Sequence, residues 1–348
     1  MTYKYNEFFS NEIQEKMRNK DIYIWGAWER GELVQSEMIS QGFTIKGFID
    51  SKKFGQTFGN PVTKVYSAEI LDSTQCFVIV ALAEHSIIFD ILNKMGFVEY
   101  ENFVYFCKHV ELENVKHNYL DFYRNQIIGD ISDAKVSISG GSQLIIGKNV
   151  KFEKGVKIIL DWKSKIIIKD NAYIAKDTII CALNQSYIEL GNKIEILENS
   201  HIRVTGLSSM TIGDNCKFGI RLILRMDHQS KFICGDDCLF SYDIKIRANQ
   251  GHSIFDLNQK MALDEKKFCK IGNHVWIGMG VTLLPGTDIG DNCVVGAESL
   301  VNKQFCSNKL IVGTPAKVLR ENIDWSYDEL SYDEYFATHI NDAEILND

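Results

Sequence analysis

The 348-residue sequence has only three prolines, no apolar run long enough to cross a bilayer, and no paired spacing among its nine cysteines. Each scarcity excludes something. A spanning helix needs about 20 consecutive apolar residues, so no membrane span is expected. The opening MTYKYNEFFSNEIQEKMRNK lacks the apolar core and small-residue cleavage site of a secretory leader, and the expected location is cytoplasmic. An odd cysteine count without framework spacing points to buried free thiols rather than disulfides. Cys234 and Cys238 invite a metal reading, but no matching Cys or His pair follows them, and no metal is expected. A net charge of −8 argues against nucleic acid as a partner, though a local basic stripe is compatible with it. What remains is a folded composition, 45% apolar and 24% charged, in a chain long enough for two domains with separate cores.

The first third reads as α/β. DIYIW (residues 21–25) is a short buried strand, followed by the turn Gly26-Ala27-Trp28-Glu29-Arg30-Gly31 and the helical stretch LVQSEMISQG. A second strand, FTIKGFID, ends at Asp50, and CFVIVAL with EHSIIFDILNKMGF completes the unit near Phe106. This is a Rossmann-like layout, in which glycines let a phosphate approach the backbone and an acidic residue about 20 positions on meets a ribose. Gly26, Gly31 and Asp50 are the candidate nucleotide residues. Trp28 replaces the central glycine, however, and Glu29 adds a negative charge beside it. With its Gly59-Asn60-Pro61-Val62 turn, the arrangement resembles the small nucleotide-sugar-binding domain found ahead of some bacterial sugar acetyltransferases. A docking module without a ligand is the other reading. Residues 1–108, including an N-terminal helix, are assigned to this domain, and 109–134 to a connector.

From Ile271 the chain falls into sixes: IGNHVW, IGMGVT, LLPGTD, IGDNCV, VGAESL, VNKQFC. Aliphatic residues recur at Ile271, Ile277, Leu283, Ile289, Val295 and Val301, with glycine next at 272, 278, 290 and 296. Neither a helix nor a plain strand has this period; short strands joined by tight corners do, three to a coil. The aliphatic position should point inward, and the glycines should supply positive φ at the corners. Upstream the interval lengthens to about 22, in IIGKN at 145, IIKDN at 167, TIGDN at 211 and ICGDD at 233. Ser142, Ser164, Ser186, Ser209 and Ser230 mark one recurrent corner at intervals of 22, 22, 23 and 21, and the next falls at His252-Ser253.

Two consequences follow from the register. Arg203, Arg225 and Arg247 must stack on one outer face, where unit charges at the ladder spacing repel by about 0.9 kcal/mol even in water. Such a row is either splayed into solvent or answered by an anionic acceptor or partner surface. Second, residues 253–270 break the repeat directly after His252 and must leave the prism as a loop, which is where function concentrates. Residues 135–320 are assigned to the coil and 321–348 to an acidic tail, which either folds back as one or two helical turns or, on the plain reading, stays solvated.

The repeat, together with GHSIFD, NHVWIG, TDIGDNCVVGAESLV and VGTPAKVLRENIDW, resembles the left-handed β-helix acetyltransferases, in the branch of galactoside, maltose and polysaccharide O-acetyltransferases. The resemblance is densest over residues 250–325 and alone supplies the handedness, since parallel crossovers generally run the other way. It implies His252 as general base, acetyl-CoA as co-substrate, a sugar or polysaccharide acceptor and a homotrimer. Carried over position by position, it implies that coenzyme A meets Trp276, Met279, Ala297, Asn302, Lys303, Lys317 and Arg320. Met279 and Asn302 depart from the residue types common in the family. Asp227, Arg225, Arg247 and Asn249 are the candidate acceptor contacts.

Three other readings stand beside O-acetylation. The α/β domain suggests N-acetylation of a nucleotide-linked amino sugar. His201, His228, His252 and His274 could build a zinc lyase on the same prism, although their spacing does not match one. A prism that has lost its activity and serves as a scaffold is the third.

Overall fold

The computed structural model describes residues 11–82, 86–106, 110–120, 125–252, 254–262, 267–331 and 334–335. Ser253, loop residues 263–266 and tail residues 336–348 lie outside the described residues. No described helix is long and apolar enough to cross a membrane.

The N-terminal α/β domain is built on one sheet with the spatial order Thr57–Phe58, Thr63–Tyr66, Ile45–Ile49, Asp21–Trp25, Cys76–Val80, Phe103–Tyr105. Neighbours from Thr63–Tyr66 onward pair in parallel. The strand Cys76–Val80 is buried at every position, as befits a parallel strand covered on both faces. The helix Glu29–Ser40 starts so close to the first strand that a Cβ on Gly31 would lie 1.9 Å from the Gly26 carbonyl oxygen.

The rest of the chain winds into a three-sided solenoid, whose faces are sheets of nine, ten and nine strands. One coil shows the path: Ile223–Met226 on the first face, Lys231–Cys234 on the second, Leu239–Phe240 on the third, then Lys245–Arg247 back on the first. Neighbouring coils pair in parallel register, so inward residues stack in columns. One column runs Val136, Ile158, Ile180, Ile202, Leu224, Ile246, Leu283, Val301. All eight are 0% exposed, and each contributes on the order of 1.5–3 kcal/mol relative to an exposed side chain.

The edges explain the polar repeat. Between the second and third faces an Asp/Asn ladder bonds coil to coil. Lys148 N–H donates to Asp170 Oδ1 (2.8 Å), Asn192 to Asp214 (2.8 Å), Asp214 to Asp236 (2.7 Å), Asp236 to Asn273 (2.9 Å) and Asn273 to Asp291 (2.7 Å). Between the first and second faces buried serines do the same. The N–H of Ser164 donates to Ser142 Oγ, of Ser186 to Ser164 Oγ, and of Ser230 to Ser208 Oγ, at 3.0–3.2 Å. The corner residue is therefore Ser208, not Ser209, and the interval is a uniform 22.

The glycines of the hexads are also not what the expectation made them. Gly272 and Gly290 have no positive φ; that conformation falls two residues later, at His274 and Asn292, and upstream at Asn149, Asn171, Asn215 and Asp237, residue types for which it is least costly. Glycine is required because coils approach closely. A Cβ on Gly272 would lie 2.4 Å from Asp291 Oδ1, and one on Gly290 2.5 Å from the Ser307 nitrogen.

The expected connector is largely part of the solenoid. Val110–Glu113 pairs antiparallel with Lys135–Ile138, and Gln126–Ile128 pairs parallel with Gln143–Ile146, closing the first coil. The α/β domain then docks on a solenoid edge. Trp162 lies fully inside the α/β domain's apolar cluster, 3.7 Å centroid to centroid from Phe106. Beside it Arg30 Nη2 meets the buried Asp161 at 2.7 Å, and Lys163 meets Glu37 at 2.7 Å. Replacing Trp162 by Ala should cost the α/β domain about 3–5 kcal/mol and split unfolding into two transitions, the solenoid melting as before. Calorimetry with limited proteolysis near residue 108 checks this; a single unshifted transition would show that the tryptophan does not hold the domains together.

Candidate active site

The loop leaves the solenoid on the edge between the first and second faces. Asn249 is anchored at that edge. It is 2% exposed, its amide Nδ2 donates to Asp227 Oδ1 of the preceding coil, and its Oδ1 accepts the Asp227 N–H at 3.3 Å. Asp227 Oδ1 also lies 3.6 Å from His228 Nε2. The chain re-enters at Lys267, which accepts from Lys231 N–H at 2.8 Å. Across this coil equivalent residues are 37 apart instead of 22. The loop is therefore shorter at its far end than expected, since Lys270 lies in the strand Phe268–Ile271. Its described part forms a small hairpin, Phe255–Asp256 with Met261–Ala262.

His252 lies three residues past Asn249, beyond the positive-φ turn at Gly251, and its ring is exposed. It occupies the outgoing limb of the loop rather than a corner of the coil. An imidazole held at a fixed loop root and open to solvent can accept a proton from an incoming hydroxyl.

The other expected site residues divide between places on the prism. Asp227, Asn249, Asn302 and Lys303 share the edge of His252. Met279 and Ala297 sit on the edge between the third and first faces, one coil apart. Trp276 is 40% exposed on the third face, in one row with Val294, Leu310 and Arg320, and Lys317 starts the strand that carries Arg320. Arg225 and Arg247 stand on the first face, in register with Arg203. The two edges of the first face are separated by about five residues of strand, roughly 17 Å. A single prism keeps His252 apart from Met279 and Ala297.

The histidines do not converge. His201 is on the first face and His274 on the opposite edge, its ring stacked on Trp325 at 4.4 Å and 7°. Among the described residues the one group with metal-ligand geometry is Cys216, Cys234 and Cys238, whose sulfurs lie within 4.8 Å of one another in the core. Cys216 donates to Gly235 O and Cys238 to Gly272 O, and burial pushes the Cys234 thiol well above its usual range. Hydrogen bonds from the Cys216 and Cys234 thiols pull the Cys238 thiol down in turn.

In the α/β domain Asp50 serves its own loop. Its Oδ1 accepts from the N–H groups of Lys52 (2.8 Å) and Lys53 (3.1 Å), and its Oδ2 from Ala27 (3.2 Å). Lys53 Nζ lies 3.7 Å over the Trp28 ring and donates to Ala27 O at 2.7 Å. Both carboxylate oxygens of the expected ribose ligand are thus already engaged.

The bacterial transferase hexapeptide family, six repeats, matches residues 268–303. Over 51 residues the chain is 51% identical to galactoside O-acetyltransferase of Escherichia coli K12, covering 15% of this chain and 25% of that protein. Residues 268–303 thus carry the repeat of that family. It is also 28% identical over 140 residues to the E. coli K12 protein WbbJ, provisionally named a lipopolysaccharide biosynthesis O-acetyl transferase, covering 40% of this chain and 63% of that one. In both cases it spans less than two thirds of the relative's length. Among solved structures, the polySia-specific acetyltransferase NeuO aligns with 63% of this chain and 88% of its own, at 22% identity and a TM-score of 0.41.

Two features of this hexapeptide-repeat protein escaped the sequence reading. The reciprocal Asp227–Asn249 pair gives no signal beyond an interval of 22. The first part of the tail is not helical: residues 322–331 form a strap along the edge between the second and third faces, and helical residues begin at Glu334 and Tyr335, where the Tyr335 N–H donates to Ser331 O at 3.0 Å. Asn308 Nδ2 donates to Ile323 O, Trp325 Nε1 donates to His274 O at 2.8 Å, and Tyr327 donates to Asp237 O. Trp325 also lies 5.9 Å from Trp276. A concavity of about 440 Å³ on the second face, lined by Lys270, Asn273, Asp288 and Asp291, contains none of the expected site residues.

Replacing Asn249 by Ala leaves the Asp227 carboxylate without its amide donor, which should cost about 1–3 kcal/mol. Hydrogen exchange should speed up over residues 250–262 while the coils stay protected. Unchanged exchange there would mean that the pair does not anchor the loop.

Proposed function

We propose that this protein is an acetyl-CoA-dependent O-acetyltransferase acting on a sugar hydroxyl in surface-polysaccharide assembly. The observation that carries the reading is His252, exposed at the root of the one long insertion into the hexapeptide coil, directly before the segment that matches the family. The relatives' names supply the acyl group and the acceptor class. The imidazole takes the hydroxyl proton as the sugar oxygen bonds to the thioester carbonyl carbon. The carbon–sulfur bond then breaks, and the proton passes to the leaving thiolate. Backbone N–H groups of a neighbouring coil are the simplest donors to the transient oxyanion.

Because one prism separates His252 from Trp276, Met279 and Ala297, the working site lies between copies of the chain, as in a homotrimer. His252 of one copy then faces the coenzyme-binding edge of the next, with Lys317 and Arg320 offering cations to its phosphates. N-acetylation of a nucleotide-linked amino sugar has less support, because Asp50 is bonded to its own loop.

His252→Ala should lower kcat by about 10²–10⁴-fold with coenzyme A affinity retained, read as free-thiol release and by calorimetry. Mixing His252→Ala chains with Trp276→Ala chains should restore part of the activity, since some interfaces then carry both native groups. An equal rate for His252→Ala and the parent would falsify the enzyme reading, and mixtures that never exceed either variant would remove the shared site.

A further inference from the structure

The first face presents outward His201, Arg203 and Thr205 from one strand, Ile223 and Arg225 from the next, and Lys245 and Arg247 from the third. Cα pairing places Arg203 opposite Arg225 and Arg225 opposite Arg247, and all three side chains are exposed. No carboxylate occupies any of these outward positions. The arginines of this chain that do form ion pairs lie elsewhere, Arg30 with Asp161 and Arg221 with Asp243. Elsewhere on the solenoid outward charges pair across coils, as Lys169 does with Glu189 and Lys270 with Asp288. Like charges at ladder spacing repel by about 0.9 kcal/mol per neighbouring pair in water and more beside a protein surface. In a chain of net charge −8, three stacked guanidiniums without a described counter-charge mark a place where an anion is missing.

We propose that the first face is a track for an anionic glycan chain, with Arg203, Arg225 and Arg247 taking successive negative charges on a path that ends at His252. The proposal rests on the acetyltransferase reading for its acceptor role, and it names the class of that acceptor. The guanidiniums repeat along the solenoid axis at the coil spacing of about 4.8 Å, comparable to the advance of one sugar in an extended chain. Their planar forks match carboxylate or phosphodiester oxygens with two hydrogen bonds each. The row ends at Arg247, two residues before Asn249 and five before His252. A chain laid along the row therefore delivers a sugar to the loop root. The field is felt within the protein: the His201 pKa is lowered, first by burial and then by Arg225 and Arg203.

The test titrates the full chain with oligogalacturonate of graded length, a phosphodiester-linked glycan oligomer, and neutral dextran of equal length, at low and moderate salt. Coenzyme A is titrated in parallel. At least one anionic oligomer should bind, more tightly with length up to about three charges and less tightly with salt, while dextran does not. The two anionic arms tell carboxylate from phosphate. Arg203→Gln with Arg225→Gln should weaken that binding by at least tenfold, on the order of one charge-assisted hydrogen bond, at unchanged melting temperature and unchanged coenzyme A affinity. Failure of both anionic oligomers to bind, binding equal to dextran, or binding untouched by the double variant overturns the track. So does a variant whose only effect is on oligomer size, because the row would then be a subunit contact. Anion binding without coenzyme A binding would leave the track standing and remove the acetyltransferase reading.

Discussion

Everything in the solenoid follows from one constraint: each coil must hydrogen-bond to the next in register. Parallel pairing at ladder spacing brings each residue beside its counterpart 22 positions on, so a side chain that fits once must fit again a few ångströms away. Inward positions satisfy this by stacking aliphatic groups, which is why Ile158, Ile180 and Ile202 lie in one fully buried column. Edge positions satisfy it with side chains short enough to reach the next coil's backbone, and Asp, Asn and Ser fill them. Glycine appears where two coils leave no room for a Cβ.

The same constraint places the loop. A segment that does not fit the period cannot be absorbed inside a face without breaking the ladder on both sides. It must leave at an edge, and the edge must be closed behind it. Asn249, bonded to Asp227, and Lys267, bonded to Lys231, close it on either side of the loop. His252 is thereby tied to a rigid coil through a short lever, while its ring stays in solvent. Outward positions face no such demand for fit, and three arginines can recur there as easily as any other residue.

The period was legible because burial leaves its mark on residue type: an Ile, Leu or Val at every sixth position is what a stacked inward column demands, and neither a helix nor a plain strand would select it. The departure of the loop was legible for the same reason, by its failure to repeat. What could not be read was anything settled by local atomic geometry. Ser208 and Ser209 are adjacent and chemically identical, so only the hydrogen bond to Ser230 shows which one turns the corner. Gly272 carries the signature expected of a left-handed residue, but His274 adopts that conformation. Residues 110–120 and 125–128 have no hexad pattern because their strands pair antiparallel at the end of the solenoid, Val110–Glu113 with Lys135–Ile138 and Tyr119–Leu120 with Gln126–Ile128. Trp325 looked like part of a solvated tail, since its partner, the His274 ring, lies 51 residues away.

The α/β domain keeps a familiar outline in which the Asp50 carboxylate bonds to its own loop. The turn still has its close glycines, and a carboxylate still ends the second strand, so the layout is that of a nucleotide fold. Yet Asp50 now caps the backbone of Lys52 and Lys53, and Lys53 covers Trp28, the residue that stands where a diphosphate would need glycine. On its other side the same helix offers Arg30 and Glu37 to Asp161 and Lys163 of the solenoid, flanking the buried Trp162. A loop committed to its own hydrogen bonds and a helix committed to a neighbouring coil both favour one rigid position for the domain. Arg30, Glu37 and Trp162 tie the domain to the coil at residues 161–163, from which the same register runs coil by coil to the edge that carries His252.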